Sequence, residues 1–195
     1  MARRGKKTSR GGKKAKRSRS GATPVAAAPV ATGGTAGKSF GVAQGKPVRS
    51  SQVEMVEVVL PNHANPLGNI LGGRVMHLID IAAAIAAHRH SNSYVATAAV
   101  DHLDFRWPIK VGQLIVLKAS VNRAFRTSME VGVKVFAEDV LTGGRRHTSS
   151  AYVTFVAVDE EGKPKPVPPV ICETATERRR YEEAEIRRRW RLSHR

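Results

Sequence analysis

At 195 residues the chain is long enough for one domain with a sizeable core, and an apolar share of 41% fits a globular protein with a polar appendage. The net charge of +17 is lopsided: residues 1–53 hold 13 Lys or Arg and no Asp or Glu, while the remaining 142 residues carry 20 basic against 16 acidic side chains. A single cysteine, Cys172, excludes an intramolecular disulfide and a thiolate metal cluster, and the longest apolar run, residues 75–87, is too short for the roughly 20 residues a bilayer span needs, so a cytoplasmic protein is expected.

Residues 1–49 mix Lys, Arg, Ser, Gly, Ala and Pro without an apolar period, and the first aromatic is Phe40. Such a stretch cannot bury enough surface to offset its chain entropy and is expected to be a disordered tail. Pro24 and Pro29 interrupt the only run that imitates a signal peptide, and the lack of Leu, Ile and Phe through residue 39 excludes the amphipathic helix of a transit peptide. Gly37-Lys38-Ser39 ends like a phosphate-binding loop, but Thr32 stands where that motif needs glycine. The charge itself points to non-specific, salt-dependent nucleic-acid contact through residues 1–49.

From residue 52 the texture changes. Residues 52–60 are valine-rich and read as a strand ending at Pro61-Asn62. Asn65-Pro66-Leu67-Gly68 signals a turn, and Gly72-Gly73 opens a helix to about Arg89-His90 whose Val75, Met76, Ile79, Ala82, Ala83 and Ala86 make it apolar nearly all round. Four more strands are expected at residues 94–105, 113–123, 128–138 and 146–158. The third of these alternates most cleanly, with Met129, Val131, Val133 and Val135 against Glu130, Lys134 and Glu138. A proline-punctuated stretch follows. Thr174-x-x-Glu177 then forms a capping box that starts a terminal helix over about residues 176–190.

One strand, one buried helix and four strands with short connections predict an α+β protein of hotdog architecture: a five-stranded antiparallel sheet wrapped round a central helix, with a basic tail before it and a helix after it. The expected divisions are 1–49 for the tail, 50–168 for the hotdog domain and 169–195 for the helical extension. One sheet covers only part of a helix that is apolar all round, so a second subunit is expected to cover the rest.

The chemistry concentrates between residues 65 and 80. Gly72 and Gly73 serve either close packing or an oxyanion hole built from N–H groups at a helix start. Asp80, the helix's one carboxylate, lies two turns from Gly73 beside Met76, Ala83 and Ala84; it is either a buried acid satisfied by polar partners or a general base that activates water. Asn65 is either a turn former or a group that orients water or a carbonyl. His88 and His90 suit the negative end of the helix dipole as cations. The remaining histidines are scattered, so neither a metal nor a cofactor is expected. Ser128, in Arg126-Thr127-Ser128, is either a turn residue or a ligand contact.

With those residues in place the chain resembles the cytosolic acyl-CoA hydrolase family of hotdog thioesterases over about residues 52–192. The resemblance rests on Leu60-Pro61, Ala64-Asn65-Pro66-Leu67-Gly68-Asn69, Gly72-Gly73, Asp80, Arg89-His90, Val100-Asp101, Phe105-x-x-Pro108-Ile109-x-x-Gly112, Thr127-Ser128-Met129-Glu130, the run from Phe155 to Asp159 and Gly162-Lys163-Pro164. It implies hydrolysis of acyl-CoA to free acid and CoA at a site between two hotdog units, with Asn65 from one and Asp80 from the other. It also implies homo-oligomerisation, as a trimer of dimers, because this chain has one unit. Arg89, Arg126 and Lys163 become candidates for the CoA phosphates, and Ser128 for its pantetheine or phosphates. The basic tail departs from the family pattern, and the competing reading is a nucleic-acid-binding or acyl-CoA-sensing hotdog protein that acts through that tail.

Overall fold

The computed structural model describes residues 44–194. The alternation that predicts strands builds the sheet directly. In β5 (Ser128–Glu138) Met129, Val131, Val133 and Val135 are buried in a row, and their neighbours β4 (Leu114–Ala124) and β6 (Arg145–Val158) pair with them in register, Val131 lying between Val121 and Val153. β2 (Val53–Val58) and β3 (Tyr94–Leu103) complete a five-stranded antiparallel sheet in the order β2-β4-β5-β6-β3.

Helix α1 (Gly72–Ser91) crosses the inner face of this sheet, burying Val75, Leu78, Ile79, Ala82, Ala83, Ala86 and Ala87. The small residues in its middle allow close contact with the valine rows of β4 and β5. Asn92 ends the helix in the left-handed region (φ 49°), its N–H donating to the His88 carbonyl. Met76 and Ile85 stay exposed, so the sheet covers one side of the helix only, as its all-round apolarity implies.

Helix α2 (Ala175–Ser193) starts with the expected capping box: the Thr174 hydroxyl accepts from the Glu177 N–H, and the Glu177 carboxylate from the Thr174 N–H. It lies on the outer face of the sheet, where Ala184 is its one buried residue. Charge holds it there. Arg187 forks onto Glu130 at 2.7 and 3.0 Å, Arg123 meets Glu185 at 3.1 Å, and Arg191 meets Asp101 at 2.5 Å.

The folded region begins earlier than the expected boundary between residues 49 and 50. β1 (Lys46–Pro47) pairs in parallel with β7 (Val170–Ile171), and a 3₁₀ turn, Val48–Ser51, buries Val48 and Ser51. The Ser51 hydroxyl accepts from the Val121 N–H at 3.0 Å. A two-residue pairing across more than 120 positions leaves no local periodicity to read. The expectations of disorder and nucleic-acid contact fall, for residues 1–43, outside the described residues.

Candidate active site

The turn that Asn-Pro announces forms as expected: the Gly68 N–H donates to the Asn65 carbonyl at 2.9 Å, with Gly68 at positive φ (74°). The Asn65 side chain is part of the turn. Its Oδ1 accepts from the N–H groups of Leu67 (3.0 Å) and Asn69 (3.1 Å). With the amide oxygen so engaged, Nδ2 is the end that remains to meet a ligand, and it can only donate.

This turn is fastened to the start of α1. The Leu71 N–H donates to the His63 carbonyl at 2.9 Å, and Ala64 bridges to Ile70. Leu71 is the N-cap residue and no side chain caps the helix, so the first N–H groups, those of Gly72 and Gly73, face outward at the positive end of the dipole. Gly73 has open space where a side chain would stand, and a Cβ on Gly72 would meet the Phe105 ring at 3.6 Å, ordinary contact. Close packing therefore does not explain Gly73.

Asp80 lies two turns further on, roughly 10 Å along the axis from Gly73. It is half-buried rather than enclosed, on the side of α1 turned toward β3, and its Oδ1 accepts from the Thr97 hydroxyl at 2.9 Å. Thr97 is a candidate site residue that the sequence alone does not single out. Its signal was slight, one hydroxyl in the apolar run from Val95 to Val100. What aims it, an irregularity in the pairing of β3 with β6 at Ala98, is a tertiary feature.

The other expected residues gather at the opposite end of α1. Arg89 is in the last turn, about 25 Å from Gly72, and its guanidinium donates to the Gln52 carbonyl. Arg126 and Ser128 sit at the β4–β5 turn, with Ser128 paired to Val156 and Val156 to Ala96, the neighbour of Thr97. Lys163 is in the turn after β6, where its ammonium meets Glu161 at 2.5 Å. Within one chain, then, Asn65, Gly72 and Gly73 form one group, Arg89, Arg126, Ser128 and Lys163 lie toward the other end, and Asp80 with Thr97 lies between.

The expected cationic role of His90 does not hold. His90 is fully buried and its Nε2 donates to the Pro168 carbonyl at 2.9 Å; burial, the main cause, and the Lys46 charge push its pKa down against that hydrogen bond. Burial and the Glu177 charge push the Cys172 thiol up, which argues against a nucleophile. Among the described residues no group of three or more His, Cys, Asp or Glu gathers as a metal site, and no helix is long and apolar enough to cross a membrane.

Residues 67–143 match the thioesterase superfamily. The chain is 42% identical over 148 residues to mouse acyl-coenzyme A thioesterase 11, covering 75% of this chain and 25% of that protein, so it spans about a quarter of that relative. An apo hexameric acyl-CoA thioesterase superposes with a TM-score of 0.75 at 44% identity, covering 77% of this chain and 97% of the other. The acyl-CoA hydrolase of Staphylococcus aureus, solved with butyryl coenzyme A and coenzyme A, superposes with a TM-score of 0.72 at 37% identity, covering 76% and 91%. The aspartate, asparagine and threonine replaced in three solved alanine variants of that hydrolase have the same separations along the chain as Asp80, Asn65 and Thr97. The chain belongs to the thioesterase superfamily, among its hotdog-fold acyl-CoA thioester hydrolases.

Proposed function

We propose that this chain hydrolyses fatty acyl-CoA to free fatty acid and CoA at a site completed by a second copy of itself. The observation that carries the reading is Asp80, held by the Thr97 hydroxyl on the strip of α1 that its own sheet leaves uncovered. A carboxylate so held takes a proton from water while the water oxygen attacks the thioester carbonyl carbon. The new C–O bond pushes the carbonyl electron pair onto oxygen, where Asn65 Nδ2 and the N–H groups of Gly72 and Gly73 stabilise it. Collapse restores the carbonyl and breaks the C–S bond, and the departing thiolate takes the proton held by Asp80, which releases CoA as the thiol and regenerates the carboxylate. Arg126 and Ser128 are the stronger candidates for holding CoA, because Arg89 and Lys163 are each engaged by their own chain.

Two features support sharing between copies. β3 is an edge strand of ten residues that exposes Tyr94, Ala96, Ala98 and Val100, an edge that invites pairing. Antiparallel pairing of two such edges sets the N-terminal end of one α1 against the C-terminal end of the other. That brings Asn65 and the glycines of one copy toward Ser128 and Arg126 of its partner, with Asp80 between. The hexameric relative supports a trimer of such dimers.

The test is complementation. Asn65→Ala and Asp80→Ala are each expected to release almost no CoA from fatty acyl-CoA. Dissociated, mixed in equal amounts and re-associated, they should recover about a quarter of wild-type turnover, because half the dimers are mixed and each holds one intact site of two. No recovery despite subunit exchange shown by mass labelling would refute the shared site. Acyl-CoA binding by the wild type without CoA release would favour the sensor reading.

A further inference from the structure

We propose that Glu57 is a positioning residue of this site: its carboxylate ties the turn that bears Asn65 to the first turn of α1, and so sets the asparagine amide against the helix N–H groups. The inference rests on the reading of the site just given. Arg74, the residue after Gly73, donates from Nη2 to Glu57 Oε1 at 2.7 Å. The same carboxylate oxygen stands 3.6 Å from Nδ1 of His63. His63 closes the 3₁₀ turn Pro61–His63, its carbonyl accepts from Leu71 at the helix start, and Asn65 follows two residues on. One acid on β2 therefore faces a group on each of the two segments whose relative position the reaction depends on.

Physical chemistry favours this role over a surface ion pair. Arg74 is a cation in the first turn of a helix, where the dipole opposes it, and Glu57 offsets that cost. The side chains of His63, Glu57 and Arg74 are 17%, 30% and 30% exposed, so solvent screens the contact only in part. Among the described residues His63 Nδ1 and Arg74 Nε are buried without a hydrogen-bond partner, and Glu57 is the acid that meets both side chains, 3.6 Å from His63 Nδ1 and 2.7 Å from Arg74 Nη2. The far half of the loop has independent support from main-chain bonds, Ile70 N–H to Ile109 and Val111 N–H to Gly68. The half that holds Asn65 has main-chain bonds within itself and to the helix start, Asn65 N–H to Asn69 and Leu71 N–H to His63, and Glu57 adds the side-chain contact that reaches it from β2.

The experiment compares Glu57→Ala and Glu57→Gln with wild type in the full chain, by steady-state CoA release and by hydrogen exchange of the amides of residues 65–71. Because a displacement on the order of 1 Å costs up to roughly 10²-fold, Glu57→Ala should lower kcat by about 10- to 100-fold. KM should stay within about threefold, as expected for an interaction realised in the transition state. Glu57→Gln, whose amide oxygen still accepts from Arg74, should fall between. Exchange should quicken in residues 65–71 and stay unchanged in the middle of α1, with oligomer size as in wild type and Tm lower by no more than about 4 °C. A loss confined to KM, or kcat within about twofold of wild type, overturns the role even if exchange quickens, because the brace then serves no chemistry. Should Glu57→Ala not fold, Glu57→Gln decides by the same measures. If the wild type releases no CoA, the functional reading fails by itself, and unchanged exchange in either variant would overturn the brace independently.

Discussion

The two helices are nearly equal in length and are held by opposite means. α1 buries nine residues, seven of them apolar and part of the core on the inner face of the sheet, contains one carboxylate and has no side-chain cap at its start. α2 buries Ala184 alone, begins with a complete capping box and meets the outer face through Arg187–Glu130, Arg123–Glu185 and Arg191–Asp101. A helix held by packing on its flank has no need of a satisfied terminus. α1 can therefore leave its first N–H groups open to a ligand, whereas α2, with little apolar surface to bury, depends on local capping and on charge. The proposed chemistry falls on the first helix, whose stability comes from elsewhere.

The comparison breaks most visibly at Asp80. Asp80→Asn keeps shape and the Thr97 contact but removes the proton acceptor, so CoA release should fall by roughly 10²- to 10⁴-fold with Tm and oligomer size unchanged. A large fall in Tm instead would mean that the acid belongs to the packing of α1 rather than to its chemistry. On the other helix, Glu130→Ala leaves Arg187 and Asn122 without the buried carboxylate that joins them. It should cost about 3 kcal/mol, seen as a fall of roughly 6–12 °C in Tm. An unchanged Tm would show that charge does not hold α2.

The smallest effect sharpens the account of α1, whose last turn keeps even its buried histidine uncharged. The folded pKa of His90 lies below its ordinary 6.5, so the unfolded chain binds this proton more readily. The contribution is fully present above pH 6.5 and is lost as pH falls from there through the folded pKa. Measured as the Tm difference between wild type and His90→Gln, which keeps a donor for the Pro168 carbonyl, the gap should be constant above pH 6.5 and narrow below it. A gap that widens on acidification would mean that His90 folds as a cation.

Much of the fold was legible because its signals are local. The period-two pattern from Ser128 to Glu138, the turn at Asn65-Pro66 and the capping box at Thr174 each need only a few neighbouring residues, and each forms where the pattern puts it. What escaped depends on distant partners. The β1–β7 pairing joins residues far apart in the chain, and His90 reads as a helix-end cation until Pro168 and the surrounding core are seen to enclose it. Thr97 belongs in the same class, since its contact with Asp80 needs both a strand and a helix in place.

The residue types needed for the proposed chemistry were determined by the sequence alone: an amide in a turn, two glycines at a helix start and one acid two turns later on an apolar helix. Their separation was decided by the tertiary structure. Side-chain spacing along a helix is a local property, but the distance between a loop and a strand depends on which faces pack together. That packing leaves the Asn65 turn and the Ser128 turn at opposite ends of α1, with the Asp80–Thr97 pair on the uncovered side between them.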